Sequence, residues 1–220
     1  MRVKWIGVML ALMALVPGRA LAQDKRIVAE IGMGPTVLFG PAADHFGGGF
    51  NFDLGINYKL TPKFAVRLDT LVTKHDVKDE ITHQLGVGDG DGWIWHLSGN
   101  GVMFKPINDR FWVHGIAGLG FYHRKINLTN PGTDLVTVCD PWIFVCYPIG
   151  VPATDIAGAR DSSDFGVNFG GGLDFRVGEN HSAFIEFRYH YVWGPKGTDS
   201  TGASRSANTQ MMPITIGIRF

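Results

Sequence analysis

Counted back from the carboxyl end, every second residue is large and apolar: Phe220, Ile218, Ile216, Ile214 and Met212. Between them stand Arg219, Gly217, Thr215, Pro213 and Met211, mostly small or polar. Side chains alternate faces along a strand, so this stretch reads as a strand with one greasy and one mixed face. A terminal strand with an exposed edge aggregates unless something pairs with it. In a chain of 220 residues the simplest partner is the first strand, and that pairing closes the sheet into a barrel.

Residues 1–22 have the build of a cleaved secretory signal. Arg2 and Lys4 make a basic start, an apolar run of 12 residues follows from Trp5 to Val16, and Ala20-Leu21-Ala22 offers a small-x-small cleavage site. The run falls short of the roughly 18 apolar residues that a spanning helix needs. The leader holds three of the 20 basic residues and none of the 20 acids, so residues 23–220 carry 17 against 20. That balance excludes a nucleic-acid footprint, and the remaining length suits one domain. Thirty glycines beside 15 phenylalanines disfavour a helical domain, since Gly costs about 1 kcal/mol in a helix relative to Ala. An exported chain with alternating strands then has two homes, a soluble β-sandwich or a barrel in an outer membrane.

Seven more alternating segments precede the last. They are expected near residues 26–37, 50–58, 64–72, 93–103, 111–122, 164–176 and 182–193. Between them the connections alternate. Long ones occupy 40–47, 74–92, 127–163 and 194–207, and tight turns 60–63, 105–110 and 178–180. Short turns on one side and long loops on the other are the habit of bacterial outer-membrane barrels. The apolar faces, such as Phe52-Leu54-Ile56 and Val66-Leu68, carry no charge. The opposite faces carry Glu30, Asp53, Arg67, Asp69, Asp164, Asp174, Arg176, Glu186, Arg188 and Arg219, with hardly any Lys. A cation at the bilayer midplane costs about 2–4 kcal/mol, so a lipid-facing stripe excludes charge. A soluble sandwich would instead turn Lys-rich faces to water. The barrel therefore requires Phe52, Leu68 and Ile216 outside, with Arg67 and Glu186 enclosed.

Aromatic residues mark two levels. Tyr58, Phe64, Phe111, Phe175 and Phe220 fall near the tight turns, and Phe50, Trp93, Trp95, Phe121, Phe165 and Trp193 near the long loops. Two girdles are what the two interfaces of a bilayer select. With the leader, the eight segments, the Trp112–Phe121 run WVHGIAGLGF, the Phe165–Asp174 run FGVNFGGGLD and the terminal Phe220, the chain resembles the OmpA/OmpX-type outer-membrane β-barrel family. The resemblance implies an all-β fold, an eight-stranded antiparallel up-and-down transmembrane β-barrel. It also implies residence in the outer membrane of a Gram-negative envelope and contact with outer-membrane lipids. In that family the terminal Ile-Arg-Phe is similar to the signal read by the barrel-assembly machinery, which assigns Phe220 as an assembly signal. A monomer is expected.

Eight strands leave an interior that side chains just fill, and charges enclosed there must pair. The tight turn at 178–180 brings Asp174 and Arg176 close to Glu186 and Arg188, and the expectation is that Arg176 meets Glu186 and Asp174 meets Arg188. Glu30, Arg67 and Asp69 are expected to extend this ion-pair network, which makes the lumen a plug; a gated narrow pore is the alternative. His96 and Ser98 share a face, as a base and a nucleophile could, and resemble the His-x-Ser of outer-membrane lipid A deacylases. That family's pair faces lipid and needs a Glu soon after, whereas this pair is expected inward and residues 104–123 hold none. The non-enzymatic reading is preferred. Cys139 and Cys146 are the only cysteines; in an oxidising compartment they are expected to form a disulfide around an apolar tip, Pro141 to Val145. Such a tip, if exposed, would suit an extracellular partner. His75, Asp76, Asp79, Glu80, His83, Asp89 and Asp91 make the 74–92 segment acidic. Its GDGDG run resembles half of a calcium loop but lacks the closing Glu, so no metal is expected, and no cofactor.

Overall fold

The computed structural model describes residues 26–140, 145–178, 181–198 and 204–220. The leader at 1–22 lies outside the described residues. The strands are β1 (Ile27–Phe39), β2 (Phe46–Thr61), β3 (Phe64–Val77), β4 (Asp89–Pro106), β5 (Phe111–Asp140), β6 (Val145–Arg176), β7 (Ser182–Val192), β8 (Lys196–Thr198), β9 (Ser204–Ser206) and β10 (Thr209–Arg219). Eight of them close an antiparallel barrel in which chain neighbours pair and β10 returns to β1; β8 and β9 form a separate two-stranded ribbon. Two short helices, α1 (Pro41–His45) and α2 (Asp79–Leu85), sit in the first two long connections. No helix among the described residues is long and apolar enough to cross a membrane; the strands supply the crossing.

The alternation dictates which side faces out. Phe52, Leu68 and Ile216 are exposed on the outer surface, while Arg67 and Glu186 are sealed at 0% and 1%. Both aromatic levels face outward as well, from Tyr58, Phe64, Phe111, Phe175 and Phe220 at one end to Phe50, Trp93, Trp95, Phe121, Phe165 and Trp193 at the other. The seam pairs Ile31 with Ile218 and Met33 with Ile216. It finishes with a reciprocal backbone pair, Ala29 N–H to Phe220 O and Phe220 N–H to Ala29 O, each 2.9 Å.

Two of the expected loops contain strand. The 74–92 segment divides between the end of β3, α2 and the start of β4, and the GDGDG run lies in strand from Asp89 onward. Of the 127–163 segment, residues 127–140 and 145–163 are strand, in β5 and β6, which pair antiparallel. Hydrophobic alternation ends where the strands leave hydrocarbon, but the backbone ladder continues, so periodicity underestimates strand length here. Beyond Thr129, β5 no longer pairs with β4 and is held by β6 alone. The resulting ribbon projects about 35 Å at about 3.3 Å per residue. Pro131, Pro148 and Pro152 lie in it; a residue without an N–H suits a strand whose outer edge has no partner.

Candidate functional site

The barrel encloses three layers. Near the tight turns, Ala65, Val102 and Ile116 pack with Phe104 into an apolar floor. Near the long connections, Leu38, Ile94, Tyr122, Val192 and Met211 form an apolar roof, sealed further by Ala42, Ala43 and Phe46. Charge fills the middle. From sequence, paired charges are expected within, and the roof and floor are not anticipated. Their residues have inward parity, but they are scattered along rows that also hold polar residues, and only barrel closure brings them together.

Arg67 is the hub of the middle layer. It donates through Nη1 to Glu186 Oε2 at 2.8 Å and through Nη2 to Asp53 Oδ2 at 2.8 Å. Its Nε lies 3.0 Å from Asp69 Oδ2, and Nη2 also meets Glu30. Arg188 reaches Glu186 Oε1 through Nε at 2.9 Å and bonds Asp69 through Nη1. Arg219 donates to Glu30 Oε2 at 2.8 Å and pairs with Asp174. His114 places Nδ1 2.6 Å from Asp174 Oδ2 and Nε2 2.9 Å from Glu186 Oε2. Asn57 donates to Glu30, and Ser98 and Asn100 donate to Asp69. Every barrel strand contributes a member.

Five carboxylates thus face three guanidiniums, and all eight groups are buried. Both nitrogens of His114 rest on carboxylate oxygens, which ties Asp174 to Glu186 through one ring. Opposite charges 4 Å apart attract by about 4 kcal/mol at an effective dielectric of about 20, against about 1 kcal/mol in water. Inward glycines make the room: a Cβ at Gly55 would lie 2.6 Å from Glu30 Oε1, and one at Gly172 2.6 Å from His114 Cε1.

The structure brings together Glu30, Arg67, Asp69, Asp174, Glu186 and Arg188, and adds Asp53, His114 and Arg219. Arg176 stays out. The turn sets Arg176 opposite Ser182 and Asp174 opposite Phe184, so Arg176 is exposed at the rim and reaches no lumenal acid. Asp174 pairs with His114 and Arg219, not with Arg188. The expected pairing failed because Glu186 sits four residues deeper than Ser182, and Arg188 four deeper than Phe184, across from Gly172 and Gly170.

Glu30, Asp53 and Asp69 approach closely enough to suggest a cation site. Arg67 lies among them and supplies the positive charge itself. His96 and Ser98 both point inward, at 0% and 1% exposure. Ser98 donates to Asp69, and His96 stacks against Tyr122 and His190 with centroids 4.9 Å from each. Neither side chain is exposed at the outer wall. In the acidic segment, His75 turns inward onto Thr73 and the Gly47 carbonyl, and Asp91 accepts from Trp93 Nε1 and Asn127 Nδ2. Cys139 and Cys146 are direct register partners across the β5–β6 ribbon; their side chains, and the tip at 141–144, lie outside the described residues.

Solved structures share this architecture. That of neisserial surface protein A superposes with a TM-score of 0.55 at 11% identity, covering 89% of this chain and 96% of that one. A major outer membrane protein from Thermus thermophilus gives 0.55 at 12% identity, with 88% and 97% covered. At these identities the likeness shows the fold alone. No curated protein matches the chain. The family described as outer membrane protein β-barrel domain matches residues 8–220, nearly the whole sequence, and the chain is a member of that family, a small barrel of the outer membrane.

Proposed function

We propose that this protein is a non-enzymatic, structural and surface-interaction barrel whose lumen is plugged and whose loops meet partners outside the cell. The observation that carries the reading is the Arg67 hub between an apolar roof and floor. A conducting path would have to break at least one of those layers, and separating a buried ion pair costs about 3–5 kcal/mol. The ribbon formed by β5 and β6 supports the second half of the reading, because it extends well past the last barrel contact at Thr129. Outer-membrane lipids surround the wall, and Phe220 at the seam serves as the signal for the barrel-assembly machinery. The working unit is a monomer.

Single-channel recording on the refolded protein tests the plug. Silence or rare brief openings are expected, and a large steady conductance would refute it. A parallel assay of lipid A acyl chains by mass spectrometry tests the absence of catalysis. Deacylation that disappears in Ser98→Ala would establish the enzyme instead.

A further inference from the structure

The tight-turn end of the barrel carries positive charge that the lumen does not use. Lys59 and Lys63 border the β2–β3 turn, Lys105 and Arg110 the β4–β5 turn, and Arg176 the end of β6; all five are exposed. Asp109 is the one exposed acidic side chain among the described residues at this end. The opposite end is acidic, with Asp76, Asp79, Glu80 and Asp89 exposed. Short turns face the periplasm in barrels of this kind, so the basic rim borders the periplasmic leaflet.

Within that rim two arginines stand next to each other. Arg176 N–H donates to the Arg110 carbonyl at 2.9 Å, which fixes the two residues side by side. They line an open groove of about 490 Å³ together with Phe175, Val177 and Gly178. Neither arginine forms an ion pair with an acid among the described residues, in contrast to Arg67, Arg124, Arg188 and Arg219. Phe175 stacks on Phe111 with centroids 5.0 Å apart, and Val177 and Ile107 are 66% and 61% exposed. The groove therefore sets two arginines beside the exposed apolar side chains of Phe175 and Val177.

We propose that this groove binds the headgroup of an anionic phospholipid of the periplasmic leaflet. A guanidinium fork matches phosphate oxygens two at a time, and two forks side by side suit one phosphodiester. The apolar flank lies where the glycerol and first methylenes of the same lipid would lie. A zwitterionic headgroup brings its own ammonium to the site, so the rim favours lipids with net negative charge. Each basic residue at an anionic surface strengthens attraction appreciably, and Lys59, Lys63 and Lys105 add a field without direct contact.

The test uses the full barrel in detergent with added phosphatidylglycerol or phosphatidylcholine, and native mass spectrometry to count retained lipids. Phosphatidylglycerol should be retained preferentially, and Arg110→Gln with Arg176→Gln should reduce that preference on the order of tenfold. Lys63→Gln, on the same rim but outside the groove, should change it at most about twofold. A gel shift between unboiled and boiled samples confirms that each variant is folded. Equal retention of the two lipids would overturn the proposal. So would an equal loss in Lys63→Gln, which means diffuse rim charge, or complete displacement of the lipid by millimolar inorganic phosphate, which means a simple anion site.

Discussion

Glu30 and Arg219 face each other as register partners across the seam where the first and last barrel strands meet, with Arg219 Nε 2.8 Å from Glu30 Oε2. They are 189 positions apart in the chain, so this contact exists only once the barrel is closed. Glu30 also meets Arg67, and Arg219 also meets Asp174, so the seam is tied to the hub. A double-mutant cycle with Glu30→Gln and Arg219→Gln should give a coupling of about 1–3 kcal/mol in urea unfolding of the lipid-embedded protein. Each single change should destabilise by about 3 kcal/mol or more, since it leaves a buried charge without its partner. Strict additivity of the two changes would show that the seam pair is not a working contact.

Asn51 repairs a gap in the same seam. Pro35 on β1 has no N–H, and the seam pairing skips from Met33–Ile216 to Thr36–Pro213. From the neighbouring strand, Asn51 Nδ2 donates to the Pro35 carbonyl at 2.9 Å and approaches the Ile214 carbonyl at 3.4 Å, while Thr215 Oγ1 donates to its Oδ1 at 3.1 Å. Asn51→Leu would leave these buried groups unsatisfied, at a cost of about 1–3 kcal/mol. Amide exchange at Gly34 and Ile216 should accelerate more than exchange on β4 or β5. A uniform change over the whole barrel would contradict a local repair.

The barrel was legible because two independent regularities agree. Outward residues such as Phe52, Leu68 and Ile216 repeat with a period of two, and turn lengths alternate short and long. The lumenal network was legible only by parity. Inward position identified Arg67 and Glu186, but partners depend on shear between strands, which sequence does not display. That is why Arg176, on the inward parity, ended at the rim, and why Asp174 found His114 and Arg219 in place of Arg188. His114 carried a signal, an inward histidine in an apolar and Gly-rich strand, that parity alone could not connect to two acids on other strands. The long ribbon was illegible for a different reason. Outside the bilayer neither face of a strand is under a hydrophobic constraint, so 127–163 reads as loop while its backbone keeps pairing.

The outer stripe makes a quantitative demand. Leu68 lies between the two aromatic levels, beside Gly99 on β4 and Ile56 on β2. Leu68→Arg puts a cation near the middle of hydrocarbon and should cost about 2–4 kcal/mol of folding free energy in bilayers. Lys63→Arg, at the exposed turn, should change stability by less than about 0.5 kcal/mol. Unfolding titrations of both variants in the same lipid decide the matter. Equal stability would mean that Leu68 does not face hydrocarbon.

Cys139 and Cys146 stand directly opposite each other in the backbone register of the ribbon, and cross-strand partners come within about 4.5–5.5 Å at Cβ. A disulfide needs only a slight further approach, to about 3.5–4.5 Å, and the exported compartment oxidises thiols. Protein isolated from the membrane should therefore resist maleimide until reduced, then take up two labels per chain. The bridge lies beyond Thr129, where β5 has left β4, so it closes only the short end of the ribbon. Cys139→Ser with Cys146→Ser should thus leave barrel unfolding within about 0.5 kcal/mol of the parent, while protease cleavage within the ribbon accelerates. Two labels without prior reduction would remove the disulfide, and a destabilised barrel would mean that ribbon and wall fold as one unit.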